Sequence, residues 1–331
     1  MEAFCYGAAA MAEPQILSAL QGWQPALPLA VAYSGGADST ALLWACTQRF
    51  PGQVAAIHIN HGLQAAAAQF QAHCQQQCQR WGLPLHVVPV EAKNAPGQSP
   101  EDAARIARYQ ALAHITQAGQ ALAGTKTIAI AQHADDQIET VLLALSRGAG
   151  VAGLAGMRPS WEQGGVRWER PYLGVRSAVI RDELQRLGIG WIDDPTNADS
   201  AFTRNRIRNQ VLPALLQAFP QLPQTLARSS AHAAQAAQLQ DDLAHIDLQT
   251  VGSPPAIKAL QALSGARLAN VLRYWLRTAH GQTPSAAQLA QLAQQLRRCT
   301  TRGHQIHIKV GQGYIERRGG VIDWYNPSVL V

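Results

Sequence analysis

Charge is scarce in this chain: 15% of its 331 residues are Asp, Glu, Lys or Arg, against 47% hydrophobic residues. Intrinsic disorder needs the reverse, few apolar residues and a high net charge. Long apolar runs are missing. No stretch reaches ~18 consecutive apolar residues, which excludes a membrane-spanning helix. The five cysteines (Cys5, Cys46, Cys74, Cys78, Cys299) are too few and scattered for a disulfide framework. The first fifteen residues hold Glu2 and Glu13 and no basic n-region, so no secretion signal is expected, and the thiols read as reduced ones in a cytosol. Cys74 and Cys78 stand four apart on an expected helix, not at CxxC spacing. Aromatics make up only 6%; no ring-rich RNA-stacking motif is visible, and the eight tryptophans read mainly as core. Lysine is nearly absent, since 23 of the 27 cations are arginine, a residue suited to forked phosphate contacts. Acid runs short in the tail. Residues 1–220 balance 16 cations with 16 anions, whereas 221–331 set 11 against 5 and carry the whole net charge of +6. That asymmetry points to catalysis in the first part and a polyanion grip in the second; a basic domain with no anionic partner is the alternative.

The first 200 residues alternate two kinds of stretch. Leu29–Ser34, Val54–Asn60, Leu85–Val90 and Thr127–Ala131 read as apolar strands. Helices are expected at Ser39–Arg49, Ala65–Trp81, Glu101–Gln117 and Asp136–Arg147, and a later unit runs from a helix at Ser177–Leu187 to a strand at Ile189–Ile192. Apolar strands spaced by helices imply an α/β fold with a doubly wound parallel sheet. Ligands of such sheets bind outside the carboxyl ends of the strands. Pro213, Pro220 and Pro223 mark a linker near 214–223. Ala/Leu/Gln-rich helical stretches follow at 224–250, 256–264, 266–280 and 285–298. The alternation from His304 to Trp324, around Gly311, Gly313 and Gly319-Gly320, reads as a small β-meander. Two domains are expected, catalytic over 1–215 and mainly helical and basic over 216–331.

Ser34-Gly35-Gly36-Ala37-Asp38-Ser39 lies between a strand and a helix. Two glycines let the backbone turn tightly and approach a ligand, and the helix start offers free N–H groups to an anion. Ser34 and Ser39 add hydroxyls, and Asp38 can hold a cation beside a polyphosphate. With no lysine at the end this is not the GxxxxGK[ST] loop; it is the SGGxDS loop of enzymes that split ATP into AMP and pyrophosphate. After the fourth strand comes His133-Ala134-Asp135-Asp136-Gln137-Ile138-Glu139-Thr140, with Asp136, Glu139 and Thr140 on one helix face. Its carboxylates suit Mg²⁺ or a cationic substrate, or plain capping of the helix. Gly148–Gly153 matches GxGxxG by letter, but a helix precedes it where a dinucleotide site needs a strand.

These motifs follow in order with Asn60-His61-Gly62-Leu63, Arg147 to Met157, Arg170-Pro171-Tyr172-Leu173, Asp194-Pro195-Thr196-Asn197 and Arg204-Asn205-Arg206-Ile207-Arg208. Their order and spacing resemble the tRNA(Ile)-lysidine synthetase family, densely over residues 28–215 and weakly beyond. The resemblance implies a fold of the PP-loop ATP pyrophosphatase type followed by a helical tRNA-binding domain. The implied reaction ligates free lysine to C2 of the cytidine at the first anticodon position of an isoleucine tRNA with a CAU anticodon. It proceeds through an adenylated cytidine and yields lysidine, AMP and pyrophosphate. Ser34, Gly35, Gly36, Ala37, Asp38 and Ser39 would then hold ATP, with His61 bordering the nucleotide. Mg²⁺ would sit on Asp38 and Asp136, and lysine on Asp135, Asp136 or Glu139. Arg105, in an ExAR…RY segment, would stabilise charge on the transferred adenylyl group, and His133 would meet the adenylate or simply end a strand. Arg204, Arg206 and Arg208 would touch tRNA phosphate or else pair with Asp193 and Asp194. Long family members carry a further C-terminal domain for which 331 residues leave no room, so a short form is expected. The expected location is the cytoplasm, with no membrane partner and a homodimer left open. The rivals are a tRNA thiolase with the same ATP loop, a small-molecule amidating synthetase, and an RNA-binding protein with decayed catalysis.

Overall fold

The computed structural model describes residues 13–60, 66–90, 100–199, 201–301 and 303–327. The chain divides into two compact units, one ending at Ala231 and one beginning at His232.

The first unit starts with a short helix α1 (Gln15–Ser18) and strand β1 (Leu29–Ala32). It continues with α2 (Ala37–Arg49), β2 (Val54–Asn60), α3 (Ala66–Arg80), β3 (Leu85–Pro89), α4 (Pro100–His114), β4 (Thr127–Ala129), α5 (Ala134–Ser146) and α6 (Val151–Leu154). A hairpin of β5 (Ser160–Gln163) and β6 (Val166–Glu169) precedes α7 (Ser177–Arg186), α8 (Thr203–Arg206) and α9 (Leu212–Ala218). The sheet order is β3-β2-β1-β4-β6-β5, parallel throughout except for β5 on the edge. Alternate residues of β1 feed two cores. Leu29 and Val31 join Leu42, Ile180 and Leu184 on one face, and Ala30 joins Leu112, Ile128 and Trp168 on the other. Burial on both faces is why these strands read as unbroken apolar runs. The order reverses between β1 and β4, so the loops that follow these two strands open side by side at the switch point of the sheet.

Two expectations are corrected. Ile189–Ile192 forms no strand; it is an extended segment whose Ile192 N–H donates to the Gly35 carbonyl at 3.0 Å instead of to a ladder. The sheet takes the β5–β6 hairpin instead. Gly164 and Gly165 turn it with φ of +65° and +77°, the pair of left-handed residues that a two-residue hairpin turn demands. The linker expected near 214–223 is mostly helix, broken only at 219–221 between α9 and α10 (Leu222–Val251).

The second unit holds α11 (Ile257–Ala262), α12 (Gly265–His280), α13 (Ala286–Arg298) and a meander of β7 (His307–Val310), β8 (Gly313–Arg318) and β9 (Val321–Tyr325). In α12, Leu268, Val271, Leu272, Trp275 and Leu276 recur at helical spacing and pack on Leu289, Leu292 and Leu296 of α13 and on Ile308, Ile315 and Ile322 of the meander. Ser285 and Gln288 close a capping box on α13, and Gly281 ends α12 in the left-handed region with φ of +64°.

Candidate functional site at the sheet switch point

The loop after β1 is held open from within. Ser39 Oγ accepts from Ser34 N–H at 3.2 Å, lies 3.0 Å from Ser34 Oγ, and donates to the Gly36 carbonyl at 3.1 Å. Thr40 Oγ1 donates to the Gly35 carbonyl at 3.4 Å. Gly35 has φ of +87°, and a Cβ there would stand 3.0 Å from Cys74 Sγ and 3.4 Å from Ile192 Cγ2. Glycine is required at this position on both counts. No side chain caps α2 at Gly36, so the unpaired N–H groups of its first turn face outward at the helix start. A bound phosphate satisfies such groups.

His133 and Asp136 form a reciprocal capping box at the start of α5, with Asp136 N–H donating to His133 Nδ1 at 3.3 Å and His133 N–H to Asp136 Oδ2 at 3.1 Å. Because Nδ1 accepts, the ring proton belongs on Nε2, which lies 3.5 Å from Asp38 Oδ2 and 3.5 Å from Asp136 Oδ2. His133 therefore joins the two motifs across the switch point. Burial alone would lower its pKa. The hydrogen bond to Asp38 and the charges of Asp136, Asp38 and Asp135 outweigh that and raise it.

The remaining carboxylates are occupied. Asp135 accepts from Arg176 Nε at 2.6 Å and from Ser177 N–H at 2.9 Å, which ties it to the start of α7. Glu139, fully buried, accepts from Arg204 Nε at 2.7 Å and Arg208 Nε at 2.6 Å, and Asp136 Oδ1 accepts from Arg208 Nη2 at 2.9 Å. Arg204 and Arg208 thus turn inward to Asp136 and Glu139, not toward the Asp193–Asp194 segment. Asp193 instead meets Arg181, and Asp194 caps Thr196. Among the described residues, four carboxylates face three guanidinium groups, and the one without an arginine is Asp38. Its Oδ1 is buried and has no hydrogen-bond partner among the described residues. Among the described residues no group of three His, Cys, Asp or Glu can hold a metal ion alone. One open carboxylate oxygen beside a phosphate cradle does fit Mg²⁺, which keeps waters and binds through one or two carboxylates plus substrate phosphates.

Residues 11–215 match the PP-loop domain family, and residues 256–321 match the TilS substrate binding domain. The chain is 58% identical to the tRNA(Ile)-lysidine synthase of Polaromonas naphthalenivorans, over 89% of this chain and 88% of that one. It is 44% identical to the tRNA(Ile)-lysidine synthase of Burkholderia pseudomallei over 82% of this chain, but spans only 56% of that relative.

The chain belongs to the tRNA(Ile)-lysidine synthase family.

The chain also resembles in fold a U34-tRNA thiolase from Methanococcus maripaludis solved with its 4Fe-4S cluster, at a TM-score of 0.55 and 13% identity, over 66% of this chain and 77% of that one. As a lysidine synthase relative, the chain places the other expected residues unevenly. Arg105 is exposed on α4, one turn before Tyr109. Arg206 is exposed and donates to Thr203 Oγ1 at 3.0 Å. His61 lies outside the described residues. Sequence reading passed over the detailed role of Arg170, which follows β6. It donates to Gln132 Oε1, to the Arg158 carbonyl at 2.6 Å and to Tyr109 OH at 3.3 Å, and sits 4.0 Å over the Trp161 ring. The Arg170-Pro171-Tyr172-Leu173 motif was the only signal for it. Also missed was a groove of about 580 Å³ in the second unit, floored by Ala269, Ala290 and Ala293 and bordered by Arg273, Arg297 and Arg298. These arginines make no ion pair to a described residue; Arg273 is distant in sequence from Arg297 and Arg298 and meets them only when α12 packs on α13.

Proposed function

We propose that the chain joins free lysine to C2 of the first anticodon cytidine of a CAU-bearing isoleucine tRNA, using ATP and releasing AMP and pyrophosphate. The C2 carbonyl is a poor electrophile, so its oxygen first attacks the α-phosphorus of ATP and pyrophosphate leaves. The lysine ε-amine then adds at C2, and AMP departs with the oxygen that cytosine gives up. The Ser34–Ser39 loop and the open start of α2 hold the phosphates, and His61 borders the nucleotide. Asp38 supplies the open carboxylate for Mg²⁺, with Asp136 beside it; the ion, when bound, neutralises charge on the departing pyrophosphate. His133 keeps Asp38 and Asp136 aimed at one point through Nε2–H and its capping bond. Arg105 meets charge on the adenylyl group.

Asp135 is tied to the start of α7 and Glu139 is fully buried between Arg204 and Arg208, so both act as positioning residues. Asp136 is the carboxylate that meets the lysine ammonium and helps take its proton. Arg206 is the member of its arginine trio turned toward solvent, and it joins the α12–α13 groove in gripping tRNA phosphate. Chemistry thereby falls to residues 1–215 and the tRNA grip largely to 216–331. The observation that carries the reading is the meeting of Asp38 and the Asp136 cap on His133 at the switch point. Thiolation by Cys74 or Cys78 lacks support, since both are buried and burial pushes their thiols up to about 12 and about 11.

The test is incubation with ATP, radiolabelled lysine and a CAU-anticodon isoleucine tRNA. One label per tRNA and one AMP per label are expected, and a tRNA with uridine at the first anticodon position should stay unlabelled. Equal labelling of both tRNAs would sink the substrate assignment.

A further inference from the structure

The outward face of the three-stranded meander is not used by the reaction above. Strand alternation sends Ile308, Val310, Ile315 and Ile322 into the core of the second unit. The same alternation gathers His307, Tyr314 and Tyr325, one from each strand, on the opposite face, where Tyr314 pairs directly with Tyr325. His307 and Tyr314 stack at 4.6 Å between centroids and 7° between planes. Tyr325 lies 6.0 Å from Tyr314 at 29° and 6.4 Å from His307 at 36°. His307 Nε2 and Tyr325 OH are 3.1 Å apart. His307 is exposed and both tyrosines are partly so. Three rings are thus grouped where they complete no core, in a chain with only 6% aromatic residues.

The charges around the rings are paired unevenly. Glu316 and Asp323 share the face, but Arg318 engages them at 2.7 and 3.0 Å, and its guanidinium carbon sits 5.9 Å from the Tyr325 ring centre. Lys309, exposed and opposite Tyr314, makes no ion pair to a described residue. The four charges beside the rings cancel, and Lys309 is the one left to meet a phosphate.

We propose that this face binds an unpaired nucleotide of the tRNA, its base stacked on an outer face of the cluster of His307, Tyr314 and Tyr325 and its phosphate met by Lys309. The proposal rests on the reading of tRNA as substrate and adds a second contact region to it. Sheets that recognise RNA splay unpaired bases onto aromatic side chains. Such stacking tolerates any base, because every base has a π-face.

The test uses the full chain. Tyr314→Ala should weaken tRNA binding roughly 5- to 100-fold, the range expected for one lost base stack, while Tyr314→Phe keeps it. The salt slope should be unchanged in Tyr314→Ala and shallower by about 0.7–0.9 in Lys309→Gln, one phosphate contact. Wild-type binding by Tyr314→Ala, or an equal loss in Tyr314→Phe, overturns the proposal. If Tyr314→Ala fails to fold, the wild-type chain decides the matter with a single-stranded RNA decanucleotide carrying 2-aminopurine. Stacking should quench its fluorescence, and a duplex of the same sequence should show no quenching. Absence of quenching with the single strand overturns the proposal, as does equal quenching with the duplex. A wild-type chain that quenches the probe but transfers no lysine to tRNA would refute the proposed reaction and leave the platform standing.

Discussion

Asp135 and Asp136 are adjacent in sequence and do different work. Asp135 spends both oxygens on Arg176 and the Ser177 N–H. Asp135→Asn should therefore cost about 1–3 kcal/mol in thermal unfolding, the price of an ill-satisfied buried donor, with the KM for lysine unchanged. Asp136→Asn should raise that KM roughly 10- to 100-fold, the loss of one charge-assisted contact. Steady-state kinetics varying each substrate separates the two, and a lysine-selective defect in Asp135→Asn would reverse the assignment. Glu139→Gln should destabilise by about 3 kcal/mol, the low end for a broken buried pair, because Arg204 and Arg208 keep an edge in water. The two motifs were legible in sequence because each is a local run at the end of an apolar strand. The tenants of Glu139 were not. Arg204 and Arg208 arrive from 65 and 69 residues away, and a local pattern names a charge without naming its partner.

At the scale of elements, periodicity found the parallel strands and long helices but misassigned two short apolar stretches. A four-residue run such as Ile189–Ile192 looks the same whether it joins a ladder or crosses a core. The β5–β6 hairpin left a signal, two glycines between alternating segments, and the directly paired Trp161 and Trp168 stack at 5.5 Å. Gly165→Ala places a Cβ in open space but forces a side chain onto φ of +77°. It should cost about 1–2 kcal/mol, read as a lowered melting midpoint; an unchanged midpoint would mean that the turn relaxes. The aromatic face of the meander was invisible for another reason. Its rings are spread over three strands, and only register brings them together.

For the whole molecule, salt and pH act on different parts. Replacing Arg273, Arg297 and Arg298 together by Gln should flatten the dependence of log Kd for tRNA on log salt by about 2–3, near 0.9 per phosphate contact. An unchanged slope would place the grip elsewhere. Burial holds His58 and His73 in the first unit and His280 in the second below the ordinary value of 6.5. Their contribution to stability is complete above 6.5 and is lost as pH falls through the lower folded values. His133, with a raised pKa, acts in the opposite sense. Its contribution is complete below 6.5 and lost as pH rises through its folded value. Melting midpoints at fixed ionic strength should fall below pH 6.5, where the three depressed histidines lose their contribution and that of His133 is already complete; a midpoint that rises toward acid would contradict this. The hydrogen bond from Ile192 to Gly35 also sets a timetable for birth. At about 5–20 residues per second on the ribosome, roughly 10–30 s separate the appearance of the glycine from that of the residue that braces it. Through that interval the nascent chain displays its phosphate loop without the brace. A ribosome stalled before Ile192 therefore holds a chain whose phosphate loop still lacks that brace.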